Sequence, residues 1–142
     1  MDESEKVLVL EDDPVRLAWF LSEFPGATVA HTASAAILAL EGMGDFAIVF
    51  LDHDLLPEHY SLLAYGVLAD ERGTGSEVSA WLRDHPLYSR DAIVVLHSMN
   101  AEGSNRMAGH LREANRLFRV SPFPLLQRAA VLMATGGSDA VC

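Results

Sequence analysis

"FAIVFLDHD", residues 46–54, decides the fold. Phe46 to Leu51 form an unbroken apolar run, the pattern of a strand covered on both sides, as in a parallel sheet with helices on each face. The run stops at Asp52, His53 and Asp54. Three ionisable side chains in succession do not belong in a core, and in open α/β sheets the carboxyl ends of strands are where sites form.

Upstream, "KVLVLEDD" (6–13) is a second apolar run ending in acids, and Asp13-Pro14 supplies a cap and a first-turn proline for a helix over "VRLAWFLSEF". "ATVAHT" is a weaker strand, followed by "SAAILALEGM", whose alanines and leucines favour helix until Gly42 and Gly44 end it. Downstream, the stretch between Leu55 and Gly75 is too long for a routine connection and predicts a lid or a small helical insertion. Tyr60 and Tyr65 within it suit a hydrophobic plug or a stacking lid. "GSEVSAWLRDH" reads as a helix capped by Ser76 or Thr74, "DAIVVLHS" as a strand, "SNRMAGHLREANR" as a helix, "LFRVS" as a short strand and "LLQRAAVLMA" as the last helix. The tail, 135–142, is expected to be mobile. This alternation predicts one domain, 1–142, with a doubly wound five-stranded parallel sheet in three α/β/α layers.

Composition sets outer limits. Half of the 142 residues are hydrophobic and 21% are charged, the balance of a packed globular domain. The single cysteine, Cys142, excludes an intrachain disulfide. No apolar run reaches the roughly 18 residues that span a bilayer, and "MDESEK" is acidic where a secretion signal is basic, so the expected location is the cytoplasm, away from membranes. The net charge of −10 argues against an extended nucleic-acid surface. Charge is nevertheless uneven: residues 1–54 hold 11 acids and 2 bases, whereas residues 104–128 hold five arginines against Glu113 alone.

"VLVLEDDPVR", "FAIVFLD" and "FRVSPF" resemble the first, third and last strands of the receiver domains of bacterial response regulators, a flavodoxin-like fold, over nearly the whole chain. The resemblance implies Mg²⁺, with Mn²⁺ as the alternative, at Glu11, Asp12 and Asp52, and Asp52 as the phosphate acceptor. Asp13 falls one place past that pair and suits a helix cap. Two positions depart from the pattern: His97 stands where receivers carry Thr or Ser, and Ser121 stands where they carry the lysine that holds the phosphoryl group. "LDHDL", "GTGSEVSAWL" and "VVLHSMNAEGSNRM" are similar to the cyclic-phosphate-processing receiver domains. That resemblance implies a phosphoesterase-like hydrolase whose ligand is a phosphorylated small molecule or an RNA end bearing a cyclic phosphate. The alternative is an atypical receiver or pseudo-receiver that signals or binds a protein partner.

Read as chemistry, Asp12 and Asp52, helped by Glu11, offer hard oxygen ligands from adjacent strand ends, a partial shell that suits Mg²⁺. His97 is the first candidate for proton transfer and His53 the second. On a regular strand His53 points away from its acidic neighbours, so either the backbone turns there or its role is structural. Asp54 would orient an imidazole or cap a turn. "HSMNAEGSNRM" places Ser98, Asn100, Ser104, Asn105 and Arg106 around a helix start, where free N–H groups favour an anion, although capping by Ser104 or Asn100 explains much of it. Arg106 is the preferred phosphate contact, and Ser121 remains a substrate-side candidate through its position. Arg112, Arg116 and Arg119 read as a solvated stripe opposite an apolar face of Met107, Leu111, Ala114 and Phe118. Trp19 and Trp81 read as core.

Overall fold

The structure, a computed structural model, describes residues 6–54 and 73–126. Strands β1 (Val7–Leu10), β2 (Thr28–Ala30), β3 (Ile48–Leu51), β4 (Ile93–Leu96) and β5 (Phe118–Val120) form one parallel sheet in the order β2-β1-β3-β4-β5. Helices α1 (Pro14–Glu23), α2 (Ala33–Gly42), α3 (Gly75–Asp84) and α4 (Ala101–Glu113) alternate with them, and a 3-10 turn follows at Phe123–Leu125. The doubly wound reading therefore holds. Most of the long connection, with Tyr60 and Tyr65, and the last helix and tail lie outside the described residues.

Strand alternation sorts the core into two layers. Leu8, Leu10, Val49, Leu51, Val94 and Leu96 turn to one face and pack with residues of α2, α3 and α4, among them Leu40, Leu82, Met107 and Leu111. Val7, Val9, Ile48, Phe50, Ile93 and Val95 turn to the other, against Phe20, Phe24 and Leu126. Burying each of these large side chains stabilises the fold by about 1.5–3 kcal/mol relative to exposure, which makes the two faces the main source of stability.

The helices start where capping residues stop the strands from continuing. Asp13 and Thr32 accept hydrogen bonds from Arg16 N and Ala35 N at the heads of α1 and α2. Of the alternatives open in the sequence, Thr74 caps α3 and Asn100 caps α4. Ser79 Oγ and His110 Nδ1, 2.7 Å apart and buried, tie α3 to α4.

Two expectations need correction. Arg116 is not part of a solvated stripe: it is buried, and its guanidinium donates to the carbonyls of Leu82, His85, Tyr88 and Ser89. Those of His85 and Ser89 also accept from the backbone N–H groups of Tyr88 and Ala92, and a planar fork of N–H groups ties all four carbonyls together at the end of α3 and in the turn that follows. Phe118 does not extend the apolar face of the preceding helix, because α4 ends at Glu113 and Phe118 opens β5. Trp19 packs edge-on against Phe20, Phe24 and Phe123, while Trp81 stacks on His85, so both tryptophans are packing residues. Among the described residues, no helix is long and apolar enough to cross a membrane.

Candidate active site

Register brings three strands to the same level. Leu10 pairs with Leu51 and Leu51 with Leu96, so Glu11, Asp52 and His97 leave β1, β3 and β4 side by side. All three continue the alternation of Val9, Phe50 and Val95 and turn to the α1 face. Their ligand atoms lie within 4.8 Å of one another, a group able to hold a metal ion. Asp12, expected beside Asp52, is buried on the opposite alternation and lies outside that group.

Glu11 is the hub. Its Oε2 accepts from the backbone N–H of Asp12 and Asp13 at 3.1 and 3.0 Å. Oε1 accepts from His97 Nε2 at 2.8 Å and Arg16 Nε at 3.1 Å, and Arg16 Nη2 reaches Oε2 at 3.3 Å. Burial works to raise its pKa, but the bonds to His97, the backbone and Arg16 prevail and hold Glu11 below its usual range. Burial keeps His97 below the usual imidazole range, so the neutral ring donates from Nε2 to Glu11. His97 stands with Asp52 in that group but is enclosed: the side chain has no exposed surface, and Phe20 and Phe50 close on the ring edge-on at 4.9 and 6.3 Å.

Asp52 lacks comparable support. Its Oδ1 accepts from His53 N at 2.9 Å, while Oδ2 has no hydrogen-bond partner and Arg16 Nη2 stands 3.6 Å away. Burial, and then the charge of Glu11, raise its pKa to about 7. Two close carboxylates under one guanidinium thus leave Asp52 in need of a proton or a cation. In the unfolded chain Asp52 gives up that proton near 3.8, so between that value and about 7 the fold binds more protons. Its contribution to stability is full below the lower value and disappears as pH rises through the upper one. Glu11 works with opposite sign, but only under its unfolded value of 4.5. His97, held below its unfolded value of 6.5, opposes this trend up to that pH, so urea midpoints should fall as pH rises from about 6.5 to about 8, with a slope of up to about 1.4 kcal/mol per pH unit, and Asp52→Asn should flatten the decline.

A second cluster lies under α4. β3 ends at Leu51 and the backbone bends at His53, the first of the two alternatives. Its Nδ1 lies 2.9 Å from Asp54 Oδ1, and Asn100 Nδ2 donates to both oxygens of Asp54 at 3.2 and 3.1 Å. Asn100 in turn caps α4 by accepting from Gly103 N, and its own N–H donates to Ser98 Oγ. The carboxylate holds the proton on Nδ1 and leaves Nε2 as the acceptor. That nitrogen is buried without a hydrogen-bond partner.

Glycines make this closeness attainable. A Cβ on Gly103 would stand 2.4 Å from His53 Cγ, and one on Gly75 only 2.0 Å from the carbonyl oxygen of Asp52. Both helices come down onto the end of β3 at positions where any side chain would collide.

Other candidates are scattered. Ser104 is buried in the first turns of α4, whereas Asn105 and Arg106 are exposed on the same helix. Ser121 is half-buried and engaged through its backbone, which donates to Leu96 O at 2.9 Å. Sequence reasoning missed Arg16, Gly75 and Gly103. Arg16 carried no signal, because its pairing with residue 11 depends on the angle at which α1 leaves β1; a glycine in a helix's first turn, as in "AEGSN", does hint at close approach.

The profile of the cyclic-phosphate-processing receiver domain family matches residues 7–113. The chain belongs to that family. No curated protein matches it. Solved receiver structures share its fold at low identity. The response regulator TrrA from Thermotoga maritima, crystallised with a Mg²⁺–BeF group, is 17% identical with a TM-score of 0.58, covering 92% of this chain and 98% of that one. A response regulator receiver domain from Francisella is 14% identical with a TM-score of 0.58, covering 93% of each chain. The response regulator domain of CheB from Thermotoga maritima is also 14% identical, with a TM-score of 0.53 and 93% of each chain covered. In this cyclic-phosphate-processing receiver, two groups of polar residues therefore meet at the end of β3: an acidic group toward α1 and an Asp–His pair toward α4.

Proposed function

We propose that the site binds a cyclic phosphate, on a nucleotide or an RNA end, and opens its ring by hydrolysis. The observation that carries this reading is the Asn100–Asp54–His53 chain, which ends on a buried imidazole nitrogen without a partner. Such a chain fixes one tautomer and reserves Nε2 for an incoming proton. His53 takes a proton from the attacking water as the P–O bond forms, and returns it from Nε2 to the ring oxygen as the P–O ester bond breaks. The product is an acyclic phosphate monoester. Proton transfer thus falls to His53, while His97 serves Glu11.

The acidic residues fit a divalent cation: Glu11 and Asp52 are hard oxygen donors, and Asp52 Oδ2 is unsatisfied. When bound, Mg²⁺ or Mn²⁺ would polarise the phosphoryl oxygen and offset its charge. A phosphate beside α4 would meet the positive end of that helix, with Ser98 and Arg106 within the same segment.

The test is turnover of a panel of cyclic phosphates with Mg²⁺, Mn²⁺ or chelator. His53→Gln should lower kcat at least about tenfold and flatten the pH profile, since an amide keeps a hydrogen bond but carries no proton. Turnover of no panel member by folded wild-type protein would overturn the reading. A second reading, aspartyl phosphorylation in signalling, is favoured by the place of Asp52 directly after the central strand of a receiver fold. A small phosphodonor separates the two: a mass gain of one phosphoryl group, absent in Asp52→Asn, would support signalling.

A further inference from the structure

Glu11 and Asp52 already have a cation between them. Arg16 leaves the first turn of α1 with its backbone N–H held by Asp13 Oδ2 at 2.9 Å, and its guanidinium grips Glu11 while standing 3.6 Å from Asp52 Oδ2. The grip is unequal. Contacts to Glu11 are hydrogen bonds, whereas 3.6 Å is too long for one, so the Asp52 oxygen is neutralised without being satisfied.

We propose that Arg16 is the resident counter-ion of this pair, and that a divalent cation enters by displacing its guanidinium, so that Arg16 sets the affinity of the metal site. The inference rests on the reading of Glu11 and Asp52 as cation ligands. A magnesium ion would sit about 2.1 Å from Oδ2, within about 6 Å of a guanidinium left in place, and like charges at that separation repel strongly in a buried site. An exit exists. The Arg16 side chain is 29% exposed, and its guanidinium carbon lies 6.0 Å from the ring of Phe123, an aromatic face beside which a planar cation can move. The capped backbone does not need to move, only the side chain.

Thermal melting of the full chain against Mg²⁺ and Mn²⁺ tests this. Arg16→Gln should melt lower without metal, because both carboxylates lose their cation, and its metal-dependent rise should have a midpoint at least about tenfold lower in concentration than wild type. Arg16→Lys, which cannot fork across Glu11, should fall between them and covers the case in which the glutamine variant fails to fold. In wild-type protein, the Arg16 Nε–H proton resonance should move toward its solvent position as metal is added. A metal response with equal midpoints and an unmoved Nε–H signal would overturn the exchange while leaving the metal site standing. No response in wild type or either variant would overturn both.

Discussion

Glu11→Ala should cost about 3–5 kcal/mol of stability at neutral pH, the range for breaking a buried charged pair by removing one member. One truncation strands two backbone N–H groups, the Nε2–H of His97 and much of the Arg16 fork, all of which donate to that carboxylate. His97 suffers most, because its ring is enclosed by Phe20 and Phe50 and cannot turn its N–H to solvent. Glu11→Gln distinguishes charge from hydrogen bonding. The amide oxygen still accepts from His97 or Arg16, so about half the loss should remain, as urea unfolding of both variants would show. In both, removal of the neighbouring charge should also lower the pKa of Asp52, which Glu11 helps to raise. An Asp52 that titrates unchanged would contradict the coupling between the two acids.

Gly75→Ala should destabilise by about 3 kcal/mol or more, at the upper end of the range for overpacking. At an exposed helix position the same change is favourable, by up to about 1 kcal/mol, because alanine has the higher helix propensity. Here the added methyl would meet the carbonyl oxygen of Asp52 at 2.0 Å and Met107 Sδ at 2.9 Å. The methionine can bend away; a backbone carbonyl at the end of the central strand cannot. Relief requires α3 to lift, which also lengthens the bond from Gly75 N to His53 O, now 3.1 Å. Unfolding in urea measures the loss, and the amide NMR signals of Asp52 and His53 should be the ones displaced. A Gly75→Ala protein as stable as wild type would mean that α3 does not rest on β3.

Much of this fold was legible because buried parallel strands are written as uninterrupted apolar runs, and "KVLVLEDD", "FAIVFLDHD" and "DAIVVLHS" each end on the residues that assemble the site. Strand order and the meeting of Glu11 with Asp52 follow from that pattern together with the receiver resemblance. Side-chain direction was harder to read. Asp12 and Asp52 look like partners in a list of strand ends, yet strand alternation puts Glu11, Asp52 and His97 on one side of the sheet and Asp12 on the other. The period-two rule could have separated them once the register was known, but register depends on pairings between distant segments. Arg16 and Arg116 were opaque for a similar reason: what an arginine reaches depends on which carbonyls or carboxylates the folded chain brings within its span. In one chain the same residue type serves as counter-ion at one pole of the sheet and as backbone clamp at the other.

Gly103 has a bearing on timing as well as space. With α4 close against the His53 ring and Asp54 bonded to its Nδ1, the imidazole is held in one orientation from two sides. The orientational freedom of such a side chain, worth on the order of 1 kcal/mol, is lost when the chain folds and not when a ligand arrives. In the proposed reaction the proton acceptor would thus be aimed before a ligand arrives, and molecular collisions would need only to align the newcomer.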